Sequence, residues 1–131
     1  MRFLLDSNAV ITLVNYPTSQ IARRVRHERS DDIGISSIVA HEIYYGAFKS
    51  RRAALNVAVF DAMVFPMLDF GGDDARRAGV VRAELAARGT PIGPYDVLIA
   101  GQALARDLIL VTHNTREFSR VSGLRIEDWE A

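Results

Sequence analysis

Short apolar runs alternate with stretches of helical periodicity along this chain. Mainly apolar stretches at 3–5, 33–35, 65–70, 108–111 and 124–126 predict strands, and those at 3–5 and 108–111 are continuous apolar runs, which are typical of buried parallel strands. Helical spacing of apolar residues predicts helices at 9–14, 21–25, 38–48, 51–64, 73–87 and 95–106, with one further turn at 115–118. Strands that alternate with helices imply right-handed crossovers, so we predict a three-layer α/β/α domain with a short, mostly parallel central sheet. The chain shows no repeat or linker, which favours a single domain over 1–131.

Residues that favour helix ends support this division. Ser36 and Ser37 are N-cap candidates for the helix after the second strand, and Gly89 is a stop signal for the helix that begins near 73. The apolar face of the helix after Ser37 is predicted from four positions: Ile38, Val39, Ile43 and Phe48.

Polar residues stand where two of the predicted strands end. Asp6 follows the first strand, and the segment 112–117 follows the strand at 108–111, which is the clearest in the chain. The carboxyl ends of parallel strands meet at one edge of a sheet, where ligands bind in such folds. We therefore predict that Asp6 and the segment 112–117 lie close together.

Two further acids conflict with the apolar pattern around them. Glu42 lies on or beside the apolar stripe of its helix, and Asp96 begins an inward-facing stripe near a helix N-terminus. Each acid could also have a purely structural role. Asp6 suits a turn or an N-cap, Glu42 suits a pair with an arginine, and Asp96 suits the helix N-terminus, where a negative charge is stabilised.

Taken together, the three acids converge on one crevice. Buried carboxylates repel one another unless they take up protons or a cation. Oxygen ligands without histidine or cysteine select a hard ion such as Mg²⁺ or Mn²⁺, and such sites are typical of phosphate chemistry, in which bound ions activate water and stabilise the leaving oxygen.

Composition narrows the remaining classes. Of the 131 residues, 49% are hydrophobic and 24% are charged, which suits one globular domain. The sixteen basic and sixteen acidic residues balance, so a charged partner must be held by local patches. Cysteine is absent, which excludes thiol nucleophiles and cysteine zinc sites. Apolar runs are too short for a membrane span or a signal peptide, and we expect a cytoplasmic protein.

Four separated motifs carry a resemblance to a known family. They are Asp6-Ser7-Asn8, the inward Glu42, the segment from Gly93 to Gly101 (GPYDVLIAG), and the segment from Leu110 to Phe118 (LVTHNTREF). In this order the chain resembles the PIN-domain ribonucleases, and more narrowly the VapC-type toxins of toxin–antitoxin pairs, through Trp129. The resemblance implies an endoribonuclease that depends on Mg²⁺ or Mn²⁺, a small VapB-type antitoxin that inhibits it, and a toxin homodimer.

The resemblance also implies roles for individual residues. Asp6, Glu42 and Asp96 match three acids of the family's active site. We expect Asp6 and Asp96 to hold the principal metal and Glu42 to bind the metal or to orient the attacking water. Many PIN domains have aspartate where this chain has Asn114, which offers an oxygen but no charge, and Glu117 one turn later is expected to compensate. The expected supporting residues are Ser7, Asn8, Thr112 and Asn114, which serve equally well as turn and cap residues.

RNA must also be held. The candidates are cationic or aromatic: Arg23, Arg24, Arg51, Arg52 and Tyr95, the last as a stacking platform for a base. Basic runs are more often solvated faces. His41 and His113 are weaker candidates for proton transfer, since a metal-activated water needs neither.

Two other functions remain open. An acidic-pocket phosphatase needs a second acid close to the nucleophilic aspartate, but Asn8 stands two residues after Asp6. A catalytically weakened PIN-like module that binds RNA or a partner is the non-enzymatic alternative; Asn114 favours it, and the three acids oppose it.

Overall fold

The computed structural model describes residues 1–130, so Ala131 of the predicted single domain lies outside the described residues. Five parallel strands form one sheet in the order β3-β2-β1-β4-β5. The strands are β1 (Phe3–Leu5), β2 (Ile33–Ser36), β3 (Met67–Leu68), β4 (Ile109–Val111) and β5 (Ile126–Glu127). The helices are α1 (Ser7–Asn15), α2 (Gln20–Arg26), α3 (Ser37–Phe48), α4 (Ala53–Asp61), α5 (Gly72–Ala87), α6 (Pro94–Ala105) and α7 (Thr115–Phe118). The predicted α/β architecture is confirmed.

The central strand is buried on both faces, as its apolar run predicts. All three residues of β1 are fully buried, and Leu5 at its carboxyl end pairs in register with Ile35 of β2 and Val111 of β4. This register brings the last residues of three strands to one edge of the sheet. The residues that directly follow these strands therefore lie side by side at this edge of the sheet.

Short polar side chains begin the helices that follow the strands. Asp6 caps α1, and its side chain accepts a hydrogen bond from the backbone N–H of Ala9. Ser36 caps α3 by accepting from the N–H of Ile38 at 3.1 Å, while Ser37 accepts instead from the N–H of Phe70 at 3.2 Å. The chain therefore turns directly from strand into helix at the carboxyl edge of the sheet.

Helix α6, which carries Asp96, is fixed by close packing on α5. A Cβ atom on Gly101 of α6 would lie 2.5 Å from Cα of Ala78 in α5, so only glycine fits this crossing. Buried Asp74 of α5 is bound by Arg106, just beyond α6, at 3.0 Å. The second half and the C-terminal end of α6 are thus held against α5.

Some sequence boundaries and one burial expectation are wrong. Helix α4 is shorter than the predicted 51–64, and in the predicted strand 65–70 only Met67 and Leu68 form strand pairs with β2. The last strand lies one to two residues later than predicted. Phe48, predicted on the apolar face of α3, is 66% exposed because it lies at the end of α3, beyond the core. Among residues 1–130, no helix combines the length and apolar character that a membrane crossing requires.

Candidate active site

Four acidic side chains gather at the carboxyl edge of the sheet, each from a different part of the chain. Asp6 follows β1, Glu42 lies in the middle of α3, Asp96 lies in the first turn of α6, and Glu117 lies in α7 after β4. Their charges affect one another: Glu117, Asp6 and Glu42 all raise the pKa of Asp96. The predicted approach of Asp6 to the segment after β4 is confirmed by a direct hydrogen bond.

Asp6 is the most buried of these acids. One carboxylate oxygen, Oδ1, accepts from the N–H of Ala9 at 2.8 Å, and the other, Oδ2, accepts from the hydroxyl of Thr112 at 2.6 Å. Burial raises the pKa of Asp6 above its ordinary value, although both hydrogen bonds oppose that shift. Asp6 therefore has a fixed orientation, and its N-cap role and its place in the acid cluster coexist.

Glu42 presents an unsatisfied oxygen. Its Oε1 atom is buried and has no hydrogen-bond partner within the described residues 1–130. Burial raises the pKa of Glu42, the adjacent His41 lowers it, and the charge of Asp6 raises it. The predicted alternative, a pair between Glu42 and an arginine, does not occur among the ion pairs of residues 1–130.

Asp96 carries the largest shift in the cluster. Burial, together with the neighbouring carboxylates, raises its pKa to about 6. Its Oδ2 lies 3.0 Å from the position that a Cβ atom on Gly93 would take, so the chain approaches this carboxylate closely. Burial and repulsion from the neighbouring carboxylates oppose the stabilisation that a helix N-terminus normally gives to a negative charge.

The segment after β4 orders the fourth acid. The Thr112 hydroxyl, which donates to Asp6, accepts from the backbone N–H of Asn114 at 2.9 Å. The side-chain amide of Asn114 donates to Oε2 of Glu117 at 3.1 Å. A chain of hydrogen bonds therefore links Asp6 to Glu117, and Asn114 orients an acid in a place where it cannot supply a charge itself.

Ser7 and Asn8 open α1 and line a cavity together with Glu42. Tyr95, one of the predicted RNA contacts, lines the same cavity from the start of α6. The arginine candidates lie elsewhere. Arg24 binds Glu28 at 3.0 Å and stacks over Trp129, and Arg23 is an exposed neighbour on α2. Arg51 and Arg52 are exposed in the turn between α3 and α4.

The acid cluster fits a hard divalent cation in its chemistry. No cationic side chain pairs with Asp6, Glu42, Asp96 or Glu117 within residues 1–130, and one buried oxygen has no partner. Over those residues, the one group of three ligand atoms within 4.8 Å of one another is His113, Asp128 and Glu130. The four acids are thus more widely spaced, which suits Mg²⁺, since that ion keeps several waters and takes few carboxylates directly.

Sequence reasoning singled out Tyr95 and His41 but missed Tyr45 and the contact between the His41 and Tyr95 rings. The His41 ring packs edge-on against Tyr95 with ring centres 4.9 Å apart, and Tyr45 lines the same cavity one turn further along α3. The helical spacing from 41 to 45 was the available signal, but periodicity alone does not distinguish an exposed aromatic face from a buried one.

Comparison with known proteins gives the family. The PIN domain model matches residues 3–124. A "tRNA(fMet)-specific endonuclease VapC" of Shigella flexneri is 44% identical over 132 residues, with 98% of both chains covered. The chain belongs to the VapC group of the PIN-domain family. "Ribonuclease VapC2" of Haemophilus influenzae (strain ATCC 51907 / DSM 11121 / KW20 / Rd) is 37% identical over 131 residues, again with 98% of both chains covered.

Solved structures of VapC complexes have the same fold. The chain aligns with a crystal structure of DNA-bound VapBC from Salmonella typhimurium at a TM-score of 0.94 and 43% identity, covering 98% of both chains. It aligns with VapBC2 from Rickettsia felis, also bound to a promoter DNA fragment, at a TM-score of 0.91 and 32% identity, covering 98% and 99% of the two chains. The PIN fold of the whole described chain is therefore shown by sequence and by structure.

Proposed function

We propose that this chain is the endoribonuclease toxin of a toxin–antitoxin pair, that it hydrolyses RNA phosphodiester bonds, and that it requires Mg²⁺ or Mn²⁺. One observation carries the proposal: three buried or half-buried carboxylates, Asp6, Glu42 and Asp96, meet at the carboxyl edge of the sheet without a cationic partner in residues 1–130. Such a cluster is costly to a protein unless it holds a cation.

Each acid has a distinct part in this proposal. Asp6 and Asp96 would hold the ion: Thr112 and the Ala9 amide fix the orientation of the Asp6 carboxylate, and Asp96 faces it from α6. Glu42 has a free buried oxygen, which suits it to bind the ion or to accept a hydrogen bond from the attacking water. Glu117, oriented by Asn114, adds the fourth charge.

When bound, the ion supplies two effects: it lowers the pKa of a bound water and neutralises charge that develops on the phosphate oxygens. The protein itself positions the carboxylates and the RNA. Ser7 and Asn8 line the cavity beside Glu42, where their side chains can donate hydrogen bonds to RNA. The raised pKa of Asp96 means that, without an ion, part of the cluster is protonated near pH 6.

The substrate is proposed from the relatives. VapC of Shigella flexneri and VapC of Salmonella typhimurium are both named tRNA(fMet)-specific endonucleases, at 44% and 43% identity over 98% of this chain. We extend that specificity to this chain and take initiator tRNA as its substrate, which places the reaction in the cytoplasm. Initiator tRNA offers single-stranded loops, the usual targets of sequence-specific RNA recognition.

The partners are proposed from the solved complexes and from the surface. VapB-type antitoxin accompanies the neighbours in their crystal structures. In this chain, a cavity of about 290 Å³ lies between α1, α3 and α4, and it extends from Glu42 to Val59 and Phe60. Leu55 and Val59 of α4 are exposed beside it. An apolar segment of the antitoxin that filled this groove would end beside Glu42 and block the site. A homodimer of the toxin completes the proposed assembly.

The test uses antitoxin-free protein and total RNA from the host. New RNA ends are mapped by sequencing with Mg²⁺, with Mn²⁺ and with chelator, for the wild type and for Asp96→Asn. We expect discrete ends in the tRNA(fMet) sequence that require the metal and vanish in the variant. Metal-dependent ends confined to other RNAs would refute the substrate, and ends that persist in chelator would refute the metal requirement.

The alternative is a non-cutting module that binds RNA or a partner, and Asn114 is the observation in its favour. The hydrogen bond from Asn114 to Glu117 counts against it, because that bond orients a replacement acid. No new ends from protein that demonstrably binds metal and RNA would favour this alternative.

A further inference from the structure

One side of the acid cluster opens into a cavity with aromatic walls. The cavity measures about 480 Å³, within the usual range of ligand sites, which is roughly 300–1,000 Å³. Its walls come from three helices and include Ser7, Asn8, His41, Glu42, Tyr45 and Tyr95. Glu42 thus belongs to two surroundings, since it feels the charge of Asp6 on one side and lines this cavity on the other.

The aromatic residues are exposed rather than packed into the core. Tyr45 is 65% exposed and Tyr95 is 46% exposed, and the His41 ring is also accessible. His41 and Tyr95 hold each other edge-on, with ring centres 4.9 Å apart and planes at 69°. The Nδ1–H of His41 donates to the carbonyl of Ile38 at 2.7 Å, which fixes the ring. The two rings are therefore held in place although neither is covered.

A cation extends the aromatic row. His41, Tyr45 and Lys49 follow one another at intervals of four residues, so they lie on one face of α3 and span about 12 Å along the helix axis. The Lys49 ammonium lies 4.7 Å from the centre of the Tyr45 ring. Lys49 is the only lysine in the chain. Aromatic faces followed by a cation match alternating bases and phosphates, and this pattern is how proteins hold single-stranded nucleic acid.

We propose that His41, Tyr45 and Tyr95 form a nucleobase-binding subsite, which holds a base of the nucleotide next to the cleaved phosphodiester. This inference rests on the proposed ribonuclease function. The base stacks on the Tyr95–His41 pair, its ribose and phosphate pass Ser7 and Asn8, and the next phosphate on the far side lies toward Lys49. The subsite sets where the RNA is cut, because it fixes one nucleotide relative to Glu42.

The test combines protein variants with abasic substrates. The substrates are synthetic hairpins with the stem-loop sequences of initiator tRNA, each in an intact form and in forms that lack one base at each loop position. Single-turnover cleavage is measured for wild type, Tyr95→Ala, Tyr95→Phe and His41→Ala. Tyr16→Ala is the matched control, because Tyr16 is exposed at the end of α1 outside this cavity.

The expected result is a coupling between one ring and one base. Removal of a single base beside the cleaved bond slows the wild type by about tenfold to a hundredfold, which is the usual worth of one stacking contact. Tyr95→Ala slows the intact hairpin by a similar factor, and loss of that base then has little further effect. Tyr95→Phe keeps the aromatic ring and therefore keeps the sensitivity to loss of that base, whereas Tyr16→Ala behaves as wild type. Equal slowing of intact and abasic hairpins by Tyr95→Ala at every position overturns the subsite.

A binding measurement separates this inference from the proposed function. Fluorescence anisotropy with the same labelled hairpins, in EDTA and low salt, reports affinity without cleavage. If the wild type cuts no hairpin but the Kd shows the same coupling between Tyr95 and one base, the proposed cleavage of this substrate fails, while the base-binding role of the subsite stands. If the hairpin is cut but neither rate nor Kd shows the coupling, the subsite fails alone. No binding of any hairpin overturns the subsite as well.

Discussion

Two groups of buried acids in this molecule have opposite surroundings. Between α5 and α6, Arg106 donates a bidentate pair of hydrogen bonds to Asp74. Its Nε lies 3.2 Å from Oδ1 and its Nη2 lies 3.0 Å from Oδ2. Asp74 also accepts from the Gly71 amide at 2.8 Å and from the Gln102 amide at 3.2 Å. At the carboxyl edge of the sheet, Asp96 and its neighbours have no cationic partner among residues 1–130.

The difference separates a structural acid from a functional one. Burial alone would raise the pKa of Asp74, but the hydrogen bonds and charge of Arg106, with the Gly71 amide, lower it below the ordinary value. Burial and like charges raise the pKa of Asp96 to about 6. A buried acid with cationic and hydrogen-bond partners is compatible with a stable fold. A cluster of acids without a cationic partner lowers the stability, which is typical of a ligand-binding site.

The largest difference between a change in the acid cluster and a change elsewhere is expected in the rate of RNA cleavage. Asp96→Asn removes a charge from the cluster, so we expect the cleavage rate to fall by about 10³-fold or more, because such sites act as a unit. Asp73→Asn is the matched control, an exposed acid in the first turn of α5. The measurement is single-turnover cleavage of the initiator-tRNA hairpin with Mg²⁺. Near wild-type cleavage by Asp96→Asn would contradict the role given to the cluster.

The next contrast is in stability. Asp74→Ala leaves Arg106 and two amide donors without their acceptor, so we expect it to lower the free energy of unfolding by about 2–4 kcal/mol. Asp96→Ala, in metal-free protein, should lower it far less or raise it. Urea unfolding in EDTA compares the two variants. A larger loss from Asp96→Ala than from Asp74→Ala would reverse the assignment of the two regions.

A smaller effect is expected from the residue that orients Asp6. Thr112→Val removes the hydroxyl that donates to Asp6 and accepts from the Asn114 amide. We expect metal affinity or activity to fall by about 10–100-fold, as when other residues that orient metal ligands are changed. Thr112→Ser should retain most activity, and Thr18→Val, in an exposed turn, is the control. Equal activity of the valine and serine variants would show that the hydroxyl is not needed.

The smallest expected effect is a pH dependence of opposite sign in the two regions. The folded pKa of Asp96 is raised, so its contribution to stability is fully present below about pH 4 and is lost as pH rises through 6. Asp96→Asn should therefore stabilise metal-free protein at pH 7.5, by about 1–2 kcal/mol after allowance for solvent screening of this half-buried group. That gain should shrink as pH falls below 6 and disappear below about pH 4.

Asp74 should behave in the opposite way. Its folded pKa is lowered, so its contribution is present above its ordinary pKa and is lost only as pH falls through the lower folded value. Asp74→Asn should thus remain destabilised across pH 5–8. Thermal unfolding of both variants in EDTA from about pH 4 to about pH 8 checks the pair, and parallel pH profiles would remove the distinction between them.

The fold could be predicted from the sequence because its local signals agree. Apolar stretches overlap each strand of the sheet, although β5 shares only Ile126 with its predicted stretch, and Ser36 and Gly89 mark helix ends where the structure has them. The predicted strand boundaries were wrong where pairing with a neighbouring strand decides them. At β3, for example, only Met67 and Leu68 form strand pairs with β2. The predicted burial of Phe48 was wrong because apolar periodicity does not show where a helix extends beyond the core.

The acids of the candidate site could be predicted because each interrupts an apolar pattern. The Asp74 network was not predicted, since Asp74 occupies an ordinary acidic position in the first turn of a helix and Arg106 lies 32 residues away. The aromatic cavity was found only in part: Tyr95 was singled out by its neighbour Asp96, but its contact with His41 depends on how α3 and α6 pack. Contacts between elements distant in sequence leave no local signal.

The central claim is that the unsatisfied cluster holds a divalent cation and the satisfied acid does not. Calorimetric titration of Mg²⁺ and of Mn²⁺ into wild type, Asp96→Asn and Asp74→Asn tests it most directly. The account predicts saturable binding to wild type and Asp74→Asn, and binding at least about tenfold weaker to Asp96→Asn. Equal affinity for all three proteins, or no saturable binding to the wild type, would contradict it.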